Sequence, residues 1–403
     1  MTTRADGQVG FLSVALKAAA PAGDGLARVD NEVVFIPQTL PGEKLIGRIT
    51  AEKKNFSRAE IVRFGFQSPH RIEPACPYFG RCPGCRYLHA DYSYETELKQ
   101  NQLLGMMNAA GFEYDPNVVE KPFSPQPELG YRNKIVLHAH QVQGRTFFGY
   151  VMGDNTTVTD IESCPLARPE INAELAKLRG DKGFLCSLHE GMDVTFRHTE
   201  HDGVKFWRNA PAKNLTWLRE TTPFGPLSVP CGSFFQVNPA GGARLVERFL
   251  ETVGREKPDR VIDLYAGAGL FGCAAASRGV KDILAVESDA AAAEAAKFNL
   301  GKYGADRSEV VAGDAADALK TLEAGQNTLL VVDPPRNGLS FPAMKALTES
   351  GLKKLACISC NPATWTRDAI RLAKGGFELR GLELVNMFPR TEHFELFSEW
   401  VRD

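Results

Sequence analysis

The chain has 403 residues, with 47 Lys and Arg against 49 Asp and Glu, a formal net charge of −2, and 43% hydrophobic residues. This length allows two or three domains, and without an apolar run of about 18 residues a transmembrane helix is excluded. The near balance of charge excludes global attraction to nucleic acid, so any such partner must be held by local patches. Residues 1–65 read as short strands with turns at Gly23-Asp24-Gly25, Asp30-Asn31 and Pro41-Gly42. Within them Lys53, Lys54 and Arg58 surround Phe56, a basic loop with an aromatic that suits single-stranded nucleic acid. Next comes a cysteine loop at 66–92, where Cys76, Cys82 and Cys85 form C-x5-C-x2-C among glycines and prolines. Cys164, in Ser163-Cys164-Pro165, is a distant fourth candidate. Four thiolates suit an iron–sulfur cluster or tetrahedral zinc; the paired C-x2-C spacing common at zinc sites is absent from this loop. No signal peptide is read, and the remaining cysteines lie mostly in apolar stretches, as expected of a reduced cytoplasmic protein. Tyr94 to Ala110 reads as a helix stopped by Gly111. Residues 127–230 read as a mostly β insert whose first strand, Tyr131-Arg132-Asn133-Lys134, puts Arg132 and Lys134 on one face.

From Phe234 onward strands and helices alternate, which predicts a parallel α/β domain. Arg260 to Gly269 reads as strand, tight turn and helix start, with Asp263 at the strand end. Gly267, Gly269 and Gly272 spell G-x-G-x-x-G, so a dinucleotide site is a candidate. A carboxylate at Asp263 would repel a pyrophosphate and suits a cationic, amino-acid-bearing ligand better. The next strands end in Glu287, placed for ribose hydroxyls, and in Asp314, placed for an adenine amino group. Thr328–Val332 leads to Asp333, and Leu355–Ile358 leads to Cys360. A carboxylate and a thiol at neighbouring strand ends point to covalent chemistry on a bound group.

The chain resembles the RNA uracil-5-methyltransferase family, close to its 23S rRNA-modifying branch. The resemblance rests on Phe234-Phe-Gln-Val-Asn238, Asp263-Leu-Tyr-Ala-Gly-Ala-Gly269, Asp333-Pro-Pro-Arg336, Ser359-Cys-Asn-Pro362 and His393-Phe-Glu395. It implies a Rossmann-like class I methyltransferase domain, Cys360 as nucleophile and Glu395 as general base. It also implies S-adenosylmethionine contacts at Gln236, Tyr265, Glu287, Asp314 and Asp333. A 4Fe-4S cluster on Cys76, Cys82, Cys85 and Cys164 follows from it, as do RNA phosphate contacts at Arg132 and Lys134. Residues 1–65 resemble a TRAM domain, a small RNA-binding β-barrel, to which Lys53, Lys54 and Arg58 belong. Ala266 and Leu270 depart from the family, whose glycine turn often carries Cys and Asn there, so no polar contact is carried over to Leu270.

The chemistry needs these groups. Carbon-5 of uracil is a weak nucleophile until a thiolate adds to carbon-6, and a base must then remove the carbon-5 proton. The thiolate predicts a depressed pKa at Cys360, and the target base has to be unpaired or flipped out. The expected division is 1–65 TRAM-like, 66–230 cysteine loop and β insert, and 231–403 methyltransferase, with the 94–110 helix packed on the last. A monomer acting on ribosomal RNA is the leading expectation and transfer RNA the alternative. A radical methylthiotransferase needs C-x3-C-x2-C, which this chain lacks. An NAD-linked oxidoreductase rests on the glycine pattern alone, and a non-catalytic RNA-binding protein would not need Asp333, Cys360 and Glu395 together.

Overall fold

The computed structural model describes residues 3–4, 11–20, 23–152, 154, 156–211, 217–322, 325 and 327–403. Packing divides the chain into two units: Met1–Gly105 with Phe148–Ile161 and Phe388–Glu392, and Met106–Phe147 with Glu162–Met387 and His393–Asp403.

The first unit opens with β1 (Thr3–Arg4), β2 (Phe11–Ala15), β3 (Ala18–Ala19), β4 (Gly25–Val29), β5 (Glu32–Ile36), β6 (Lys44–Glu52) and β7 (Phe56–Phe66). They form one sheet in the order β1-β2-β6-β7-β5-β4-β3. Asp30 and Asn31, both at positive φ (48° and 66°), join β4 to β5 in the turn geometry that matches strand twist. Alternate residues of these strands, among them Leu12, Val14, Ala27, Val29, Val34, Ile36 and Leu45, build a small core. Helix α1 (Tyr92–Ala109) begins two residues before the expected start, because Asp91 accepts the Tyr94 amide at 2.8 Å. On α1 the fully buried Lys99 donates to Glu95 at 2.8 Å, and Glu95 also receives the Arg390 amide.

The chain continues through β8 (Lys134–Val142), β9 (Arg145–Val151), β10 (Val158–Asp160), α2 (Pro169–Gly180), α3 (Lys182–Cys186), β11 (Asp193–Thr199) and β12 (Gly203–Arg208). In the second unit β11 pairs antiparallel with both β8 and β12. A hairpin follows, β13 (Trp217–Thr222) and β14 (Gly225–Pro230). Arg197 of β11 and Glu220 of β13 form a buried pair at 2.6 Å, so the sheet and the hairpin are joined by charge as well as by packing.

The α/β part consists of α4 (Pro239–Glu256), β15 (Arg260–Leu264), α5 (Leu270–Ser277), β16 (Asp282–Glu287), α6 (Ala290–Lys302), β17 (Arg307–Ala312), α7 (Ala315–Thr321), β18 (Thr328–Val332), α8 (Phe341–Glu349), β19 (Lys354–Ser359), α9 (Pro362–Lys374), β20 (Glu378–Val385) and β21 (Glu395–Val401). Its sheet runs β17-β16-β15-β18-β19-β21-β20, parallel from β17 to β19, with β21 antiparallel between β19 and β20. β18 is buried at all five positions, as a central parallel strand covered on both faces must be. The winding reverses between β15 and β18, which opens a crevice at the carboxyl ends of the two strands.

Candidate active site

The crevice floor is the turn after β15. Tyr265 (φ 62°), Gly267 (φ 54°) and Gly269 (φ 85°) all adopt left-handed backbone, which turns the chain within five residues from strand to α5. At Gly269 an added Cβ would also lie 3.2 Å from the Ala296 Cα, so both conformation and close helix approach require glycine. At Gly267 a Cβ would meet nothing within 4 Å, so the turn is open on the crevice side. Glu287, at the end of β16, accepts the Gly267 amide through Oε2 and the Asp289 amide through Oε1, each at 2.8 Å. It therefore pins the glycine turn to the start of α6. Asp314 caps α7, its Oδ1 accepting the Ala316 amide at 2.7 Å.

Asp263 is placed differently from the sequence expectation. It lies inside β15 rather than at its tip, with no exposed surface. Its Oδ2 accepts the Gly272 amide at 2.8 Å, and its Oδ1 is buried without a hydrogen-bond partner. Burial pushes its pKa up to about 7, with Asp333 and Glu287 adding repulsion. Asp263 thus supports the turn from beneath instead of facing a ligand.

On the other side of the crevice, register sets the chemistry. β21 runs antiparallel to β19 with Leu396 opposite Ser359, so the next pair outward is Glu395 beside Cys360. Asp333 follows β18, the other neighbour of β19. Cys360 is half-buried; Glu395 is buried, and its Oε2 has no hydrogen-bond partner. The depressed thiol pKa expected from the sequence does not hold in the ligand-free protein. Burial, with the Glu395 and Asp333 carboxylates, pushes Cys360 up to about 11, while Arg336 pulls it down. Glu395 is itself raised well above the carboxylate range by burial and by Asp333, and Arg336 again opposes. Burial raises Asp333 as well. Two acids in one apolar site disfavour each other's ionised forms, so protons are retained here near neutral pH.

Gln236 lies on the segment before α4, 6% exposed, with Oε1 buried and unpartnered. A pocket is lined by Asn133, Thr221, Phe235, Gln236, Val246 and Leu270. Leu270, at the position where the family often has a polar side chain, is 9% exposed and makes this wall apolar.

The remaining expected sites are less assembled. Cys76, Cys82 and Cys85 lie half-buried in a turn held by Phe79 N–Cys76 O and Cys82 N–Tyr78 O hydrogen bonds. Cys164 is fixed in the other unit by reciprocal 2.9 Å hydrogen bonds to Asn172. Thiolates suit an iron–sulfur group in kind, but among the described residues no three Cys, His, Asp or Glu are gathered as a metal site. Lys53 and Lys54 are exposed in the β6–β7 turn. Arg58 is tied to Asp24 at 3.2 Å, and Phe56 packs edge-on against Phe35, so this aromatic is engaged within the sheet. Lys134 stands opposite Arg197, and its pKa is lowered by burial and by that Arg. Arg132 lies just before β8, its backbone bridged to Ala167.

Arg336 was legible as part of a motif, but its electrostatic role was not. The side chains that hold its loop belong to α9, roughly 25–32 residues later, and no local pattern links them.

Residues 12–62 match the TRAM domain model, and residues 246–369 match the model described as "Conserved hypothetical protein 95". The 23S rRNA (uracil(1939)-C(5))-methyltransferase RlmD of Chromohalobacter salexigens is 30% identical over 450 residues, covering 100% of this chain and 91% of that protein. The protein of that name from Acidithiobacillus ferrooxidans is 29% identical over 428 residues, covering 94% and 95% of the two chains. In fold, the chain is similar to the Pyrococcus abyssi tRNA (uracil-54, C5)-methyltransferase in complex with S-adenosyl-L-homocysteine. The TM-score is 0.74 at 22% identity, covering 96% of this chain and 99% of that one. The fold is that of a class I methyltransferase with an N-terminal TRAM domain. The chain belongs to the RNA uracil-5-methyltransferase family.

Proposed function

We infer that this protein is an S-adenosylmethionine-dependent methyltransferase that forms 5-methyluridine in 23S rRNA through a covalent Cys360–uracil intermediate. The observation that carries the reading is the register that sets Cys360 beside Glu395, with Asp333 at the end of the strand on the other side. The open glycine turn and the buried, unpartnered Gln236 Oε1 fit the cofactor. Gln236, Tyr265, Glu287, Asp314 and Asp333 would hold it. When bound, S-adenosylmethionine supplies an electrophilic methyl group on a cationic sulfur.

The reaction steps fall to the side chains. Cys360 gives up its proton to solvent, the thiolate adds to carbon-6 of the flipped uracil, and the electron pair of the carbon-5–carbon-6 double bond moves into an enolate. Carbon-5 then takes the methyl group. Glu395 accepts the carbon-5 proton, the double bond re-forms and the Cys360 thiolate leaves. Raised pKa values at Cys360 and Glu395 are compatible with this, because a cation brought into the site favours both the thiolate and the ionised carboxylate there.

Lys53, Lys54, Arg58, Arg132 and Lys134 are assigned to RNA contact, with the two exposed lysines foremost. The three segments 1–65, 66–230 and 231–403 are assigned TRAM-like RNA capture, the iron–sulfur and further RNA-binding role, and catalysis. We assign Cys76, Cys82, Cys85 and Cys164 to a 4Fe-4S cluster on their spacing and donor type; no step of the reaction is routed through it. Full-length relatives that carry a 23S rRNA name favour ribosomal over transfer RNA, since the likeness to a tRNA enzyme is one of fold. The enzyme is taken to be a cytoplasmic monomer.

Mass mapping of 5-methyluridine in rRNA and tRNA, from a strain lacking this protein and from its parent, tests the reading. Loss of one 23S site supports it. Intact rRNA with a lost tRNA methyl group would move the substrate to tRNA.

A further inference from the structure

The loop that follows Asp333 is held by helix α9, the helix that begins just after Cys360. Asn361 Nδ2 donates to the Arg336 carbonyl at 3.1 Å, and the Thr364 hydroxyl lies 3.1 Å from the same oxygen. One turn further along, Asp368 Oδ2 accepts the Leu339 amide at 2.9 Å. Arg367 donates to the Asn337 carbonyl at 2.9 Å and is itself held by Asp368 at 2.8 Å. Asp368 is 6% exposed, which is unusual for a carboxylate unless it is paired. Gly338, at φ 71°, fits against it so tightly that a Cβ would lie 2.3 Å from Asp368 Oδ2. Four consecutive residues, 336–339, are thus fixed through their backbones, while the Arg336 side chain is exposed.

The charges that act on the Cys360 thiol are Glu395 from β21, Asp333 after β18, and Arg336 of this loop, whose carbonyl is held by Asn361, the residue next to Cys360. Two are acids and one is a cation. We propose that Asp368 is a positioning residue: together with Arg367 it fixes the 336–339 loop, so that the Arg336 guanidinium stays at the Cys360–Glu395 pair and offsets the two acids. Loosening the loop lets an exposed guanidinium move into solvent, where its charge is screened. The thiolate and the ionised base then lose the favourable charge of Arg336.

The inference rests on reading Cys360 as the nucleophile, yet its test reads the thiol directly. Iodoacetamide alkylation of ligand-free protein near pH 8 is followed by peptide mass, with the exposed Cys186 as internal standard. Asp368→Ala and Gly338→Ala should each slow Cys360 alkylation about three- to tenfold relative to Cys186, the size expected for losing one partly screened charge. Arg336→Met should slow it similarly, and adding Asp368→Ala to Arg336→Met should change it little further. If Asp368→Ala fails to fold, alkylation of the buried Cys273 reports it, and Gly338→Ala carries the comparison from the loop side. Unchanged or faster alkylation in the folded variants overturns the proposal, as does full additivity with Arg336→Met. Methyl transfer retained by Cys360→Ala would instead overturn the reading of the nucleophile.

Discussion

Two sets of cysteines in this chain are held in different ways. Cys360 directly follows a ladder: β19 and β21 pair residue by residue as far as Ser359 opposite Leu396, and that register leads to Glu395 alongside. Cys76, Cys82 and Cys85 are placed by turns, with a few local hydrogen bonds and no strand pairing beyond an isolated bridge. The ladder is buried, and its side-chain positions are fixed before any ligand arrives. The turn fixes its backbone while leaving its thiols half-buried. Rigid main chain should therefore make Cys360 a separable chemical part, whereas the loop cysteines should matter to assembly.

The largest effect expected is at the ladder. Cys360→Ala should abolish methyl transfer to RNA while binding of S-adenosylmethionine, measured by calorimetry, stays near wild type. A variant that keeps transferring labelled methyl groups would dissolve the distinction. Glu395→Gln should slow turnover by roughly 10²–10⁴. Because addition precedes proton removal, a covalent RNA–protein species should build up on denaturing gels, and full turnover without it would assign the base elsewhere.

At the loop, Cys82→Ser and Cys164→Ser should lose iron to the same extent in protein prepared without oxygen. The distant cysteine is as much a ligand as the near one in the proposed cluster. Stoichiometric zinc with no iron or sulfide would remove the cluster from the account.

A smaller effect separates the turn's support from its ligand contacts. The folded pKa of Asp263 is raised to about 7. A raised acid is tolerated at low pH, and stability is lost as pH climbs through the folded value. Asp263→Asn removes that loss, so its stability relative to wild type should improve by about 2–4 kcal/mol between pH 4 and pH 8. Equal differences at the two pH values in urea titrations would mean that Asp263 is not carrying a proton. Smallest of all, Lys53→Ala with Lys54→Ala should weaken RNA binding modestly and flatten its salt dependence by about two charges. An unchanged slope would take this turn out of the interface.

How much was legible beforehand follows the same divide. Strand-end acids and the glycine turn could be read because periodicity and motif spacing report on a parallel sheet, whereas Glu395 came from the family resemblance alone. The place of Asp263 was misread by one residue, which in a strand moves a side chain from crevice to interior. The raised thiol pKa was missed because it comes first from burial and then from the Glu395 and Asp333 carboxylates, which other strands bring in. The hold of Asp368 on Leu339 was invisible, since nothing local ties an acid in one helix to an amide 29 residues earlier. Phe56 looked like a free platform because its partner, Phe35, lies on another strand.

The central claim is the covalent bond between Cys360 and uracil, and RNA carrying 5-fluorouridine tests it most directly. Fluorine cannot leave carbon-5 as a proton does, so the intermediate should stall after methyl transfer. With S-adenosylmethionine present, wild type and Glu395→Gln should each yield an RNA adduct that peptide mapping places on Cys360, and Cys360→Ala should yield none. An adduct on another residue, or no adduct from a wild-type enzyme that methylates ordinary RNA, would contradict the account.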